Sequence, residues 1–444
     1  MLLTRGRVFK WLYVGLFPVG LLAVYHLQLA DTNGYLGFRA FEIDFPYLGT
    51  AVASIVVAGM LMPAHLRKPS DFFSWVYGLF VVIPYATLYP IRNPVEAEHF
   101  LLYFVVLILP LFAIWLVIAA APAVRVPALI TQRALVWLVA LLCIAGLLLA
   151  FANPPASAGF ELENVYERRL EGRSVFPAGS LSAYLNTAVV NGFAPFLAFI
   201  AGWRKKALLL LLSVASCVGF FYLLGLKAPL FFTALALMIG YSVRRRQVDT
   251  VIVAIYALVM ASFLLFLVEY FLFGFSVVGE FFIRRTFSIP PYFVSAYFEF
   301  MSSPVTTGWS PLYGVDTSEP IAFHIGESFL GMPGLNANSN AFLYQLASGG
   351  IPLYALTIAL VTVVFVALDA VYKCRHNAAL IYLGFVYAIL LTEQAATTAL
   401  VSSGIGILIL LNIVSRPNKY GTAVSRPLVK RTGRPRSYGR VQPV

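Results

Sequence analysis

Residues 207–246 read ALLLLLSVASCVGFFYLLGLKAPLFFTALALMIGYSVRRR, and the way this stretch is divided decides the fold. A hydrocarbon core is crossed by roughly 17–25 mainly apolar residues, so one helix running from 207 to 243 is too long. It would also carry Arg244, Arg245 and Arg246 to the side of the membrane opposite Arg204, Lys205 and Lys206. Divided at Leu226-Lys227-Ala228-Pro229, the stretch gives two spans, 207–225 and 229–243, and both basic runs face the same side.

The rest of the chain parses in the same way. Apolar runs at 9–29, 45–63, 72–90, 99–121, 134–153, 183–202, 249–274, 347–370, 379–396 and 398–414 complete a set of twelve spans, of which the eighth and the last two are short. The basic N-terminus (Arg5, Arg7, Lys10) before the apolar run from Trp11 has no small-x-small cleavage site after it, so it is expected to remain as the first helix. Of 444 residues 60% are hydrophobic and 11% are charged, against about 25% charged in soluble proteins. Too few polar residues remain to cover a water-facing surface, and the expected fold is an all-α polytopic membrane bundle.

The net charge of +12 does not indicate nucleic acid, because it is gathered in alternate short loops and in the tail. With the N-terminus inside, 23 of the 31 basic residues fall on the inner side: Arg5, Arg7, Lys10, Arg67, Lys68, Arg125, Arg133, the two runs above, Lys373, Arg375 and eight in the tail. Asp71, Asp249 and Asp369 are the only acids there. This is the positive-inside pattern, and it places both termini in the cytoplasm. Residues 1–414 form the bundle with its outer loops, and 415–444 a basic, unstructured tail that serves as a topology anchor near anionic headgroups.

Two outer segments have real length, 154–182 and 275–346. The second is too aromatic and apolar for disorder and is expected to pack back on the bundle as short helices. No Walker or dinucleotide motif occurs, which argues against ATP-driven transport by this chain alone. Cys143, Cys217 and Cys374 show neither a disulfide pattern on the outer side nor zinc spacing, and no metal or other cofactor is expected.

Charged residues on the outer side break the charge rule and so carry the functional argument. Arg284 and Arg285 stand in Phe281-Phe282-Ile283-Arg284-Arg285-Thr286-Phe287. They are either phosphate ligands, since guanidinium binds phosphate bidentately, or an interfacial pair held by Glu280 or headgroups. Arg168, Arg169 and Arg173, interleaved with Glu167 and Glu171, form a second cluster that reads equally as a solvated amphipathic helix. Lys227, in the turn between two spans, either snorkels to the interface or binds phosphate at a cavity mouth. Glu269 is either interfacial or paired with a loop arginine, and Glu393, in Thr392-Glu393-Gln394, reads as a surface residue. His324 and Glu327, three apart, suit a base with its orienting partner, or simply loop packing. Asn336, Asn338 and Asn340 precede the tenth span, where one can cap the helix and all can bond hydroxyl-rich ligands. Trp309, Tyr313, Phe329 and Tyr344 are of the kind that stacks on sugars or lines an interface.

From Asn338 to Leu353 the order of asparagines, an apolar run and Gly349-Gly350 resembles the stretch after the large outer loop of Wzy-type O-antigen polymerases. The related O-antigen ligases carry His, then Asn/Ser/Gln, nine residues, Gly, two residues and Gly. Here Asn340 and Gly350 fit, while Ser339 and Leu353 replace the first and last positions, which favours the polymerase. Arg168 to Gly179 matches an arginine–ten residues–glycine pattern of the family's first loop, and Arg284–Phe300 resembles the arginine-to-aromatic run that opens its second. The resemblance implies a metal-independent membrane glycosyltransferase of the bacterial inner membrane, with 154–182 and 275–346 as periplasmic loops. It would join polyprenyl-pyrophosphate-linked repeat units, alongside a chain-length regulator and a flippase. In that reading Arg284, with Arg168 or Arg173, Arg169, Arg285 and Lys227, holds the donor pyrophosphate. His324 or Glu327 takes the acceptor proton, and Asn338 and Asn340 orient sugars. Alternatives are a lipid-linked oligosaccharide transporter or flippase, an O-antigen ligase, and a polyprenyl-phosphate-sugar glycosyltransferase, for which Glu42 and Asp44 would be the acidic pair.

Overall fold

The computed structural model describes residues 2–92, 97–161, 163–177, 179–245, 247–303, 306–307, 310–311 and 320–416. Trp309, Tyr313 and the tail from 417 onward lie outside the described residues. Within them the protein is an all-α bundle, and eight helices are long and apolar enough to cross a membrane. These are α1 (Arg7–Thr32), α3 (Pro69–Ile91), α4 (His99–Ala119), α5 (Gln132–Ala152), α7 (Leu181–Arg204), α8 (Ala207–Leu224), α10 (Asp249–Phe273) and α13 (Ala341–Arg375). Shorter apolar helices are α2 (Phe45–Leu61), α9 (Ala228–Arg244) and α14 (Ala378–Leu390). Val165–Val175 (α6), Ile289–Ser302 (α11) and Ile321–Ser328 (α12) belong to the connecting segments. The final apolar stretch is interrupted, as Ala396–Leu400 (α15) and Ile405–Ile413 (α16).

Local chemistry sets the helix ends. Asp44 accepts from the amide of Tyr47 at 2.8 Å and caps α2, which occupies one member of the possible Glu42/Asp44 pair with a structural task. Asn340 Oδ1 accepts from Phe342 N and Leu343 N, both at 3.1 Å, and starts α13. The break at 207–246 is where expected: α8 ends at Gly225 with φ 63°, and α9 begins at Ala228 with Pro229 in its first turn.

Two helices form the centre. In the most apolar part of α3, 94% of the residues are buried, and in α7, 83%. By contrast α4 turns Leu101, Leu102, Val105, Leu109, Phe112 and Leu116 outward. Such a stripe has no place in water and is what a lipid-facing helix requires. Helices α7 and α9 pack closely because Gly202 and Gly240 leave room: a Cβ at Gly240 would stand 2.2 Å from the carbonyl oxygen of Phe199.

The connections gather in two sets. In one, Lys10 donates to the carbonyls of Gly59 and Met62, His65 meets Asp249, and Lys68 meets Asp369. Lys373 donates to Ala121, and Ile130–Thr131 pairs with Ser415–Arg416. In the other set the amide of Arg39 donates to Ile91, Gly159 to Tyr222 and Ala341 to Leu391.

The segment expected to form the second long outer loop does pack back as helices, and it goes deeper than a loop. Gln28 and Ser276 exchange two hydrogen bonds (3.0 and 2.7 Å) in the second set of connections, and Arg92 grips Glu299 there with two bonds of 2.8 Å. Between these anchors Phe287 stacks on Phe80 and meets Phe17 edge-on. Phe17 lies eleven residues before Gln28 in α1, and Phe80 of α3 twelve before Arg92, about 16–18 Å at 1.5 Å per residue. The chain from 276 to 302 therefore enters the bundle to mid-depth and returns to the same end. Its first arm, Gly279–Ser288, winds as a π-helix that passes without a break into α11. Pro290 and Pro291 supply no N–H to the carbonyls of the preceding turn, which favours the altered pairing there.

Arg92 also donates to the carbonyl of Phe329 at 2.6 Å and to the hydroxyl of Tyr292 at 3.2 Å, so one guanidinium holds both the re-entrant arm and the loop beyond it. Removing Glu299 leaves this half-buried charge without its carboxylate. Glu299→Ala is expected to cost about 3 kcal/mol, measured as a lowered Tm of the detergent-purified protein. The double variant with Arg92→Ala should cost less than the sum of the two singles. An unchanged Tm for Glu299→Ala contradicts the anchor.

Candidate functional site

Tyr25–Leu29 in α1 is π-helical, and so are Gly78–Val82 in α3, Val189–Phe193 in α7 and Gly279–Ser288 in the re-entrant arm; the last three meet at one place. An extra residue per turn re-aims a side chain, and such turns occur often at functional sites. Val81, Asn191 and Arg285, one from each of those three segments, line the same cavity of about 360 Å³.

The polar wall of that cavity comes from Asn338, Ser339 and Asn340 before α13 and from Thr392, Glu393 and Gln394 after α14. The apolar wall is Ala228 and Phe232 of α9 with Ile289, Pro290, Phe293 and Val294 of α11. A second void, of about 10 Å³ among Pro195, Phe232, Tyr382 and Leu390, leaves room for no more than a single water.

Two irregularities create the polar wall. Helix α14 has 13 residues, about 20 Å, against a hydrocarbon core of about 30 Å. The turn that follows is therefore sunk within the bundle. The chain is then broken again between α15 and α16, where Gly404 has φ 69°. Ser403, fully buried in this break, accepts from Gln394 Nε2 at 3.1 Å and from Asn191 Nδ2 at 3.4 Å. Irregular backbone at this depth is tolerated where it borders a cavity. Gly349 and Gly350 break α13. Gly350 has φ 68° and ψ −163°, a conformation open essentially to glycine alone.

Several polar groups on the wall are unused. Asn340 is 2% exposed and spends its Oδ1 on the helix cap, but its Nδ2 has no partner; Ser339 Oγ, on a residue 5% exposed, has none either. Glu393 lines the cavity and is exposed to it. Among the described residues its carboxylate makes no hydrogen bond or ion pair.

The outer arginines divide. Arg285 lines the cavity. Arg169 lies close enough to Arg285 and Arg173 that, after the effect of its own partial burial, their like charges lower its pKa. Its Nη2 donates to the carbonyl of Gly225 at 3.3 Å, which lays α6 over the turn carrying Lys227. Lys227 is exposed at the start of α9, one residue before cavity-lining Ala228.

Four expectations need correction. Arg284 is engaged by Glu280 (2.9 Å) and by Asn33 Oδ1 (2.8 Å), so it secures the re-entrant arm while its neighbour Arg285 reaches the cavity. Arg168 is fully buried and donates to the carbonyls of Gly159 and Glu161, which leaves it unable to meet a ligand. His324 and Glu327 share α12 but do not bond; the imidazole lies against the rings of Phe300 and Phe329, and Glu327 is exposed. Neither lines the cavity. Glu393, expected on the surface, is exposed, but to the cavity that it lines. Glu269 accepts from Ser276 Oγ at 2.6 Å and Val278 N at 3.0 Å rather than pairing with an arginine.

Among the described residues no group of three or more His, Cys, Asp or Glu side chains is placed to hold a metal. The two tasks of Asn340 are separable. Asn340→Ala should destabilise the protein by about 1 kcal/mol through loss of the cap. Asn340→Ser, which keeps a capping oxygen but removes the amide donor, should stay within a few tenths of wild type, as read by thermal unfolding. Equal losses in both variants contradict the capping role. Comparison with protein-family models, with characterised proteins and with solved structures found no match.

Proposed function

We propose that the protein polymerises lipid-linked oligosaccharide repeat units in the bacterial inner membrane, with twelve crossings, both termini cytoplasmic and the cavity opening towards the periplasm. The carrying observation is the cavity itself: one arginine inside it, a second close to that arginine, and a wall of amides and hydroxyls with orphaned donors. Such a set suits a ligand that is anionic at one end and rich in hydroxyls at the other. A polyprenyl-pyrophosphate-linked glycan is that ligand. The apolar wall of Phe232, Ile289 and Phe293 suits the first isoprene units.

In this reading Arg285, with Arg169, Arg173 and Lys227 nearby, holds the donor pyrophosphate and stabilises the charge that develops as it leaves. Asn338, Asn340 and Asn191 orient the sugars. Arg284 holds the arm that carries Arg285. A second lipid-linked repeat unit supplies the acceptor hydroxyl.

The test is transfer by purified protein in vesicles supplied with lipid-linked repeat units. Wild type should build chains of many repeats. Arg285→Ala should lower the rate by about 10²–10³-fold, the cost of removing one preorganised charge-stabilising donor, while Arg168→Ala should act through stability instead. Chain formation by Arg285→Ala at the wild-type rate overturns the assignment.

A further inference from the structure

The transfer needs an acceptor for a proton, and the residues first expected in that role do not reach the cavity. His324 is packed between aromatic rings and Glu327 points to the surface. Among the cavity-lining residues one side chain carries a carboxylate, Glu393. It stands in a turn held on both sides. Its own amide donates to the carbonyl of Leu390 at 3.2 Å, and the carbonyl of Leu391 accepts from Ala341 N at 2.8 Å, directly beside the Asn340 cap. Gln394 is fixed to Ser403. The turn is therefore held by its neighbours, while the carboxylate is exposed to the cavity and makes no hydrogen bond or ion pair among the described residues, so it is free to meet a ligand. Asn338 and Arg285 line the same space.

We infer that Glu393 is the general base of the transfer, a role that rests on the function proposed above. Its carboxylate takes the proton of the acceptor sugar hydroxyl as that oxygen bonds to the anomeric carbon of the donor. The bond from this carbon to the pyrophosphate oxygen breaks, and the electron pair leaves on the pyrophosphate, whose charge meets Arg285. The products are the lengthened lipid-linked glycan, a polyprenyl pyrophosphate and a protonated Glu393, which returns its proton to water through the cavity mouth.

The experiment compares wild type, Glu393→Gln and Glu393→Asp in the vesicle assay, with Tm and binding of polyprenyl pyrophosphate measured on the same preparations. Glu393→Gln, which keeps size and polarity but cannot accept a proton, should lose about 10²–10⁴-fold in transfer rate, with Tm and binding close to wild type. Glu393→Asp should retain part of the rate. Transfer by Glu393→Gln within about threefold of wild type overturns the base and leaves the proposed function standing. Transfer by Glu393→Asp as low as by Glu393→Gln, with its Tm and binding lowered to match, also overturns it, since that pattern marks a packing role. Failure of wild type itself to transfer overturns the underlying function instead.

Discussion

Hydrocarbon offers no hydrogen-bond partner to a peptide group, so every break in a helix at membrane depth must be answered by protein. That constraint organises the bundle. The re-entrant arm and the gap between α15 and α16 each have a local answer. Gln28 meets Ser276, Arg92 meets Glu299, and Ser403 takes bonds from Gln394 and Asn191. The regular, lipid-facing helices such as α4 carry no such breaks.

The cavity is the consequence. A 13-residue helix cannot bring its turn to the membrane surface, so Thr392, Glu393 and Gln394 become a wall instead of a rim. The π segments turn Asn191 and Arg285 into the same space. Polar side chains are costly at this depth, and the cost is met where a ligand can complete their bonding. Basic residues at the opposite end, by contrast, bond carbonyls and carboxylates of neighbouring connections, as Lys10, Lys68 and Arg375 do, and fasten the bundle.

Much of the fold was legible in the sequence because lipid makes apolar runs and charge alternation unambiguous. The division at Lys227 followed from the position of Arg244–Arg246, and the asparagines before α13 announced both a cap and a polar surface. The site was legible only in outline. Adjacent side chains on a helix point more than a quarter turn apart, so sequence could not choose between Arg284 and Arg285, or between Arg168 and Arg169. The π-helical register that decides the first choice is a tertiary effect. His324 and Glu327 had the right chemistry and spacing, but spacing does not say which cavity a helix faces. Glu393 was read as an ordinary surface residue because sequence does not show that the turn holding it borders a cavity.

The central claim is that this bundle joins glycan units at one face of the membrane. The most direct measurement is the surface polysaccharide of cells that lack the gene, resolved by gel beside cells in which it is restored. The account predicts a single repeat unit on an otherwise intact core in the first and a ladder of long chains in the second. Loss of all repeat-bearing core, or an unchanged ladder, would contradict it.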